Sequence, residues 1–256
     1  MTESLDLKLN PNLDVEKYAA LYARNKLVQI PEVFEKNVAD AIEGVLRHSI
    51  QWRLVFPEPD PASPGGDRVV QLTNEEMKEL GNQRLGERIR GVMERASNNY
   101  GYLYNAYPMI EAYTSGWDLD HPIHKLTEFL NSQEFLEFGR SVIGVKTITK
   151  ADAQATLYTR GQFLTRHVDS GIENERRCAY TFGFTRHWQP DWGGLLMMIN
   201  EDLDIDRAFL PRFNTLSMFN GRALHAVSPV SPFAGEGRFQ ITGWLRDDPI
   251  PAGSEK

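Results

Sequence analysis

The chain has 256 residues, of which 41% are hydrophobic and 25% charged, with 20 Gly and 14 Pro, a profile that excludes collagen-like, low-complexity and wholly disordered polymers. Its 28 basic and 35 acidic side chains leave a net charge of −7, so the field that draws in nucleic acid or an anionic membrane is missing. One cysteine, Cys178, excludes an intramolecular disulfide and a cysteine-built zinc site. No apolar run approaches the ~18 residues of a bilayer span, and MTESLDLKLNPNLD lacks a signal-type apolar stretch, so the expected address is cytoplasmic, with no nucleic-acid or membrane partner.

In chain order, residues 1–14 read as a polar tail, and Leu27 to Ile30 as a short strand stopped by Pro31. Val38, Ala41, Ile42, Val45 and Leu46 recur at helical spacing, which predicts a helix over about 35–48. PEPDPASPGG, Pro57 to Gly66, is the strongest break and predicts an exposed loop, either a lid or disordered. Asn74 with Glu75 and Glu76 caps a helix expected to reach about Ala96. Tyr100, Tyr102 and Tyr104 alternate along a strand candidate and read as ordinary β packing ahead of the alternative, a substrate groove. Pro122 opens a helix bearing Ile123, Leu126 and Leu130, and Asn131 with Glu134 reads as a capping box for another. His121 and His124, in HPIH at that helix start, fit a capping or surface role better than a metal pair, and His48 and His187 carry no motif.

From about Val145 the texture changes. Segments near 146–159, 162–169, 178–185, 194–199, 213–219, 223–228 and 237–245 are short, rich in β-branched and aromatic residues, and separated by Gly, Pro, Asn or Asp. This predicts an antiparallel sandwich or barrel with the helices mostly N-terminal, hence an α+β fold. The organisation expected is one domain over 1–256: a mainly helical support region (1–144), a β core (145–246) and a tail (247–256). GxxxxGK, GxGxxG, GxSxG and HExxH are all lacking, which disfavours nucleotide-driven and common serine-hydrolase chemistry.

The chemistry concentrates in three segments. In Arg166-His167-Val168-Asp169, residues two apart share a strand face, so His167 and Asp169 can meet one ion while Val168 points away. His225, in ALHAVSPV, can complete a facial triad of two imidazoles and a carboxylate that leaves three coordination positions open. In RFQITGW, Arg238, Gln240, Thr242 and Trp244 should face one side and Phe239, Ile241 and Leu245 the other. A buried arginine needs an anion, and no acid on that strand shares its face.

RHVD, HAVSP and RFQITGW, in this order, resemble the iron(II)- and 2-oxoglutarate-dependent oxygenases, within them the prolyl-hydroxylase-like branch. ERRCAYTFGFT and DWGGLLMMI add weaker support, and the resemblance covers roughly 146–246. It implies a double-stranded β-helix (jelly-roll, cupin-like) core with N-terminal helices packed on one sheet. It implies that His167, Asp169 and His225 hold Fe(II) and are the catalytic centre, and that Arg238 pairs with the distal carboxylate of 2-oxoglutarate. Tyr158, Thr242 and Trp244 would line the same pocket. O2 is the further cosubstrate implied, with ascorbate a candidate reductant. Two departures stand out: Gln240 where many relatives have Ser or Thr, and Phe184 where relatives often carry a tyrosine for the distal carboxylate.

The expected reaction is hydroxylation of an unactivated C–H bond, of a prolyl residue or proline-like compound, with release of succinate and CO2. Asp169 favours hydroxylation, since halogenating relatives need Ala or Gly there. The partner is then a polypeptide or small-molecule substrate. The alternatives are an amino-acid or other small-molecule hydroxylase of the same mechanism, or a non-catalytic jelly-roll sensing module that keeps the metal site. Cys178 reads as a small apolar core residue. Arg176 and Arg177, after an acidic turn, could steer an anionic substrate but read first as a solvated loop.

Overall fold

A computed structural model describes residues 7–63, 65–98, 100–169, 171 and 173–249. The helices are α1 (Val15–Asn25), α2 (Lys36–His48), α3 (Asn74–Leu80), α4 (Asn82–Ala96), α5 (Met109–Thr114), α6 (Ile123–Leu130) and α7 (Gln133–Ile143). The strands are β1 (Leu27–Pro31), β2 (Arg53–Pro59), β3 (Asp67–Leu72), β4 (Tyr102–Tyr107), β5 (Lys150–Ala151), β6 (Gln154–Tyr158) and β7 (Phe163–His167), followed by β8 (Arg176–Gly183), β9 (Leu196–Ile199), β10 (Ile205–Phe209), β11 (Thr215–Phe219), β12 (His225–Val227) and β13 (Arg238–Arg246).

All strand pairs are antiparallel, in the order β1-β11-β8-β13-β6-β4-β7-β12-β9-β10. The sheet curls over at β4, which pairs both β6 and β7, so β7-β12-β9-β10 faces β1-β11-β8-β13-β6 as the second layer of a double-stranded β-helix. This is the α+β class that the segregated pattern predicts and the jelly roll that the resemblance implies.

Period-two alternation builds the two faces of the larger layer. Cys178, Tyr180, Phe182 and Phe184 of the β8 segment join Phe239, Ile241 and Leu245 of β13 and Leu216 and Met218 of β11 on the outer face. Val38, Ile42 and Leu46 of α2 and Phe135, Phe138 and Val142 of α7 cover that face. The helix α7 packs close to β13 because position 139 is glycine: a Cβ there would lie 2.7 Å from Leu245 Cδ1. The alternate residues of the same strands face inward.

Several local expectations are corrected. Residues 7–14 are docked rather than a tail: Leu9 bridges Phe34, the Asn10 side chain donates to the Glu32 carbonyl, and Leu7, Leu9 and Leu13 pack on the core. Residues 1–6 and 250–256 lie outside the described residues. Pro57 and Pro59 are not loop residues; they end β2, paired with Val69 and Asp67 of β3. The helix expected over 74–96 is two, broken at Gly81 with φ 79°. Its cap is Thr73, which forms a reciprocal capping box with Glu76. Ser132, not Asn131, caps α7, and the Glu134 carboxylate instead accepts from the Leu9 amide. Among the described residues, no helix is long and apolar enough to cross a membrane.

Candidate active site

The two imidazoles meet because of strand register. β12 runs against β7 with His225 directly opposite His167, and their ring centroids are 4.2 Å apart. Asp169 follows two residues after the end of β7. Its Oδ1 lies 3.5 Å from His167 Nε2 and its Oδ2 3.2 Å from His225 Nε2. One ligand atom from each of the three lies within 4.8 Å of the others, close enough to share one metal ion. Val168, between two of them, is 51% exposed and points outward as the alternation requires.

The main chain sets the tautomers. His167 Nδ1 lies 2.9 Å from the Thr165 carbonyl and His225 Nδ1 2.9 Å from the Ala223 carbonyl. A carbonyl can only accept, so each Nδ1 carries the proton and each Nε2 presents its lone pair to the centre. Burial, with the neighbouring His225, pushes His167 below the usual imidazole range despite Asp169, which favours the neutral ligand. Burial alone would raise the Asp169 carboxyl, but the adjacent His225, and after it His167, bring it below the usual carboxylate range. The Asp169 amide donates to the Gly221 carbonyl. A Cβ on Gly221 would lie 3.0 Å from the Asp169 carbonyl oxygen, a contact tight enough that the Asp169 backbone would have to give by a few tenths of an ångström.

The triad opens into a cavity of about 190 Å³ between the two layers. Arg238, Gln240, Thr242 and Trp244 of β13 all line it, as the alternation predicts. Arg238 pairs with Tyr158 across β13 and β6, is 2% exposed, and holds its guanidinium 5.0 Å from the Tyr158 ring centroid. No acidic residue among the described residues forms an ion pair with Arg238, and its Nε has no hydrogen-bond partner. Burial pushes this guanidinium down to about 10, against an opposing effect of Tyr158, and burial raises Tyr158 well above the usual phenol range.

Thr156 Oγ1, Thr181 Oγ1 and Trp244 Nε1 are likewise buried without partners on the wall of this cavity. Orphaned polar atoms around an unpaired buried cation are the signature of a polar, anionic occupant. A metal held by Nε2, Nε2 and carboxylate, with a dicarboxylate reaching Arg238, fits this donor set.

Phe184 is not on this wall. It continues the row of Tyr180 and Phe182, stacks on Phe182 with centroids 6.5 Å apart, and packs under the helices. The inward position is Gly183, where a Cβ would overlap the Arg212 carbonyl oxygen, so no side chain fits. The tyrosine ladder is more than β packing: Tyr100 and Tyr104 line the cavity, and Tyr104 stacks on Tyr158 at 5.2 Å. Tyr100 lies 5.7 Å from the His167 ring. Gln154 also joins the wall, a residue that no motif singled out.

Arg176 is the first residue of β8, not part of a solvated loop, and its guanidinium lies 3.8 Å from the Trp244 ring centroid. Arg177 is the exposed one, bonded to Asp247 at 2.6 Å. His121 and His124 do not form a metal pair. His121 Nδ1 accepts from the Ile123 amide and its Nε2 donates to the Ser49 carbonyl, while His124 Nε2 faces the Trp117 and Asp118 carbonyls. His48 and His187 are exposed, and Cys178 is fully buried, its thiol pushed up to about 12 by that burial.

Residues 153–246 match the family model of the 2OG-Fe(II) oxygenase superfamily. No curated protein sequence matches the chain. Among solved structures, a Pseudomonas putida prolyl-4-hydroxylase aligns with TM-score 0.55 and 15% identity over 92% of this chain and 100% of that one. A 2OG-Fe(II) oxygenase family oxidoreductase from Burkholderia pseudomallei aligns with TM-score 0.57 and 13% identity, covering 96% and 97%. A Trichoplax adhaerens prolyl hydroxylase, solved with a hypoxia inducible factor oxygen degradation domain peptide fragment, gives TM-score 0.57 and 16% identity, covering 96% of each. At these identities the likeness is one of fold.

Proposed function

Because residues 153–246 match the family model of the 2OG-Fe(II) oxygenase superfamily, we propose that this chain hydroxylates an unactivated C–H bond of a prolyl residue or proline-like compound, releasing succinate and CO2. The enzyme class is that of a 2-oxoglutarate-dependent dioxygenase, with Fe(II) as its metal cofactor and 2-oxoglutarate and O2 as its cosubstrates. In our reading residues 1–256 form one oxygenase unit, with the helices of the N-terminal part as its support. The observation that carries the proposal is the meeting of His167, Asp169, His225 and Arg238 on one cavity.

In this reading the two Nε2 atoms and the Asp169 carboxylate hold Fe(II). The bound metal, with keto acid and O2, supplies the oxidising power for C–H cleavage. The protein's own residues do the rest. The Thr165 and Ala223 carbonyls keep both imidazoles in the ligating tautomer and aim. Arg238, desolvated and unpaired, takes the distal carboxylate through a charge-assisted fork, with Tyr158, Thr242 and Trp244 lining its approach. Thr156 and Thr181, whose hydroxyls lack partners on this wall, supply hydrogen bonds that Gln240 and Gly183 do not duplicate. The ring wall of Tyr104, Tyr158 and Trp244 excludes water around the reacting carbon.

The prolyl preference rests on the branch resemblance of the motifs and on the fold shared with prolyl hydroxylases. Anaerobic titration of the Fe(II) protein with 2-oxoglutarate should raise a keto-acid-dependent visible absorption. Admission of O2 with a prolyl and amino-acid panel should then yield succinate. Asp169→Ala should lose both signals. Neither absorption nor succinate from the wild-type protein, or full activity in Asp169→Ala, would overturn the assignment.

A further inference from the structure

Among the described residues the cavity carries two arginines that make no ion pair, Arg238 and Arg176, and in the oxygenase reading the dicarboxylate accounts for one. Arg238 closes its floor; Arg176 stands on its wall with Tyr100, His167, Asp169 and Trp244. The placement of Arg176 follows from a register irregularity. β8 and β13 pair regularly up to Leu245 with Cys178, then slip so that Arg246 faces Arg176. The slip sends Arg177 outward to Asp247 and leaves Arg176 lying on the Trp244 ring.

The acids nearby are already committed. Arg246 takes Asp152 and Asp248, each at 2.8 Å, and Glu175 at 3.4 Å; Arg177 takes Asp247. Glu175 also accepts from the Glu173 amide, and it feels the Arg176 charge without forming an ion pair with it. Asp169 is turned toward the two histidines. Among the described residues Arg176 makes no ion pair, and its Nε is buried without a partner. In a chain of net charge −7, an arginine held partly desolvated and unpaired beside the reacting centre is costly unless an anion arrives there.

We propose that Arg176, braced on Trp244, receives a carboxylate carried by the substrate itself, so that the favoured substrates are free amino-acid-like carboxylic acids or the C-terminal residue of a peptide rather than internal residues. This rests on the oxygenase reading and names the substrate class for the same site. The guanidinium carbon lies 3.8 Å from the Trp244 ring centroid, and a planar guanidinium held there can still offer its N–H fork to a carboxylate. The cavity must also hold the keto acid, so the part of the substrate that enters is small. Tyr100 and Gln154, on the same rim, can take the remaining polar contacts.

The test uses wild-type protein, Arg176→Gln and Arg176→Lys. Anaerobic Fe(II) and 2-oxoglutarate should give the same keto-acid absorption and the same half-saturation, within about twofold, in all three, which separates this residue from the cosubstrate site. Calorimetric titration of the Mn(II)- and 2-oxoglutarate-loaded proteins then compares acids with their amides: L-proline and other L-amino acids against the amino-acid amides, and short prolyl peptides ending in a free carboxylate against the same peptides amidated. The wild type should bind acids at least ~10-fold more tightly than amides, the factor one charge-assisted hydrogen bond supplies. Arg176→Gln should erase that preference and Arg176→Lys keep part of it. The free and peptide arms tell an amino acid from a peptide C-terminus. Equal binding of acids and amides, binding of no member, or an undiminished preference in Arg176→Gln would overturn this proposal alone. Absence of keto-acid absorption in the wild type would bring down the oxygenase reading and this one with it.

Discussion

The buried, unpaired Arg238 sets up an opposition between stability and binding that one substitution can expose. Replacing it by methionine keeps a flexible unbranched stem, shorter than arginine's, and removes the charge. Burial pushes this guanidinium from 12.5 down to about 10. At 1.36 kcal/mol per pH unit, that displacement corresponds to about 3 kcal/mol of instability at neutral pH. The sign follows from linkage: the charged form is disfavoured in the folded state, so the cost is present at every pH below about 10 and fades only as pH rises above it. The Tyr158 ring returns about 1 kcal/mol through its cation–π contact. Arg238→Met should therefore raise the stability of the ligand-free protein by about 1–2 kcal/mol, or roughly 3–6 °C in Tm for a chain of this size. Thermal scans with Mn(II) should then part the two proteins. With 2-oxoglutarate at a hundred times Kd the wild type should gain about 2.7 kcal/mol, and the variant nothing. A ligand-free variant less stable than wild type, or one still stabilised by 2-oxoglutarate, would refute the view that this arginine is kept for an anion.

Other consequences can be checked separately. Gly221→Ala should press on the Asp169 carbonyl and lower metal affinity about 10-fold, read by Mn(II) titration; unchanged affinity would show that the turn has slack. Gly139→Ala gains helix propensity of about 1 kcal/mol but forces a methyl against Leu245 in a filled core, so a net loss of about 1 kcal/mol and 2–4 °C in Tm is expected. Glu58, bonded twice to Arg88 at 2.6 Å, is held below the usual carboxylate range by that hydrogen bond, with burial opposing it. Its stabilisation is therefore present above pH ~4.5 and lost as pH falls through its lowered folded value. The Glu58→Gln variant should accordingly show a flatter acid limb in denaturant titrations between pH 5 and 3.

What could be read from the chain alone was the part governed by short-range periodicity. The inward row Arg238, Gln240, Thr242 and Trp244, the outward Val168, and the helix α2 all follow from alternation or helical spacing. Where longer-range pairing decides, the sequence misled. Pro57 and Pro59 look like loop residues, yet β4 pairs β2 only at Arg53 to Val55, so the prolines sit where one strand edge is free. Residues 7–14 are polar enough to pass for a tail and are held by partners at Glu32 and Glu134. Arg176 could not be told from Arg177 because a ladder slip leaves no mark in composition. Phe184 was placed on the pocket by likeness to relatives, whereas the parity of β8 puts it with Tyr180 and Phe182.

The pairing of His225 with His167 would make a bound metal ion a clasp between two strands that are 58 residues apart in the chain. Sliding β12 by a single position would present Ala226, a residue with no donor atom, in place of an imidazole. The ladder thus works as a jig whose tolerance is one residue. Substitutions at its irregular stretch between His225 and Val227 should announce themselves first as weakened chelation, before melting temperature moves at all.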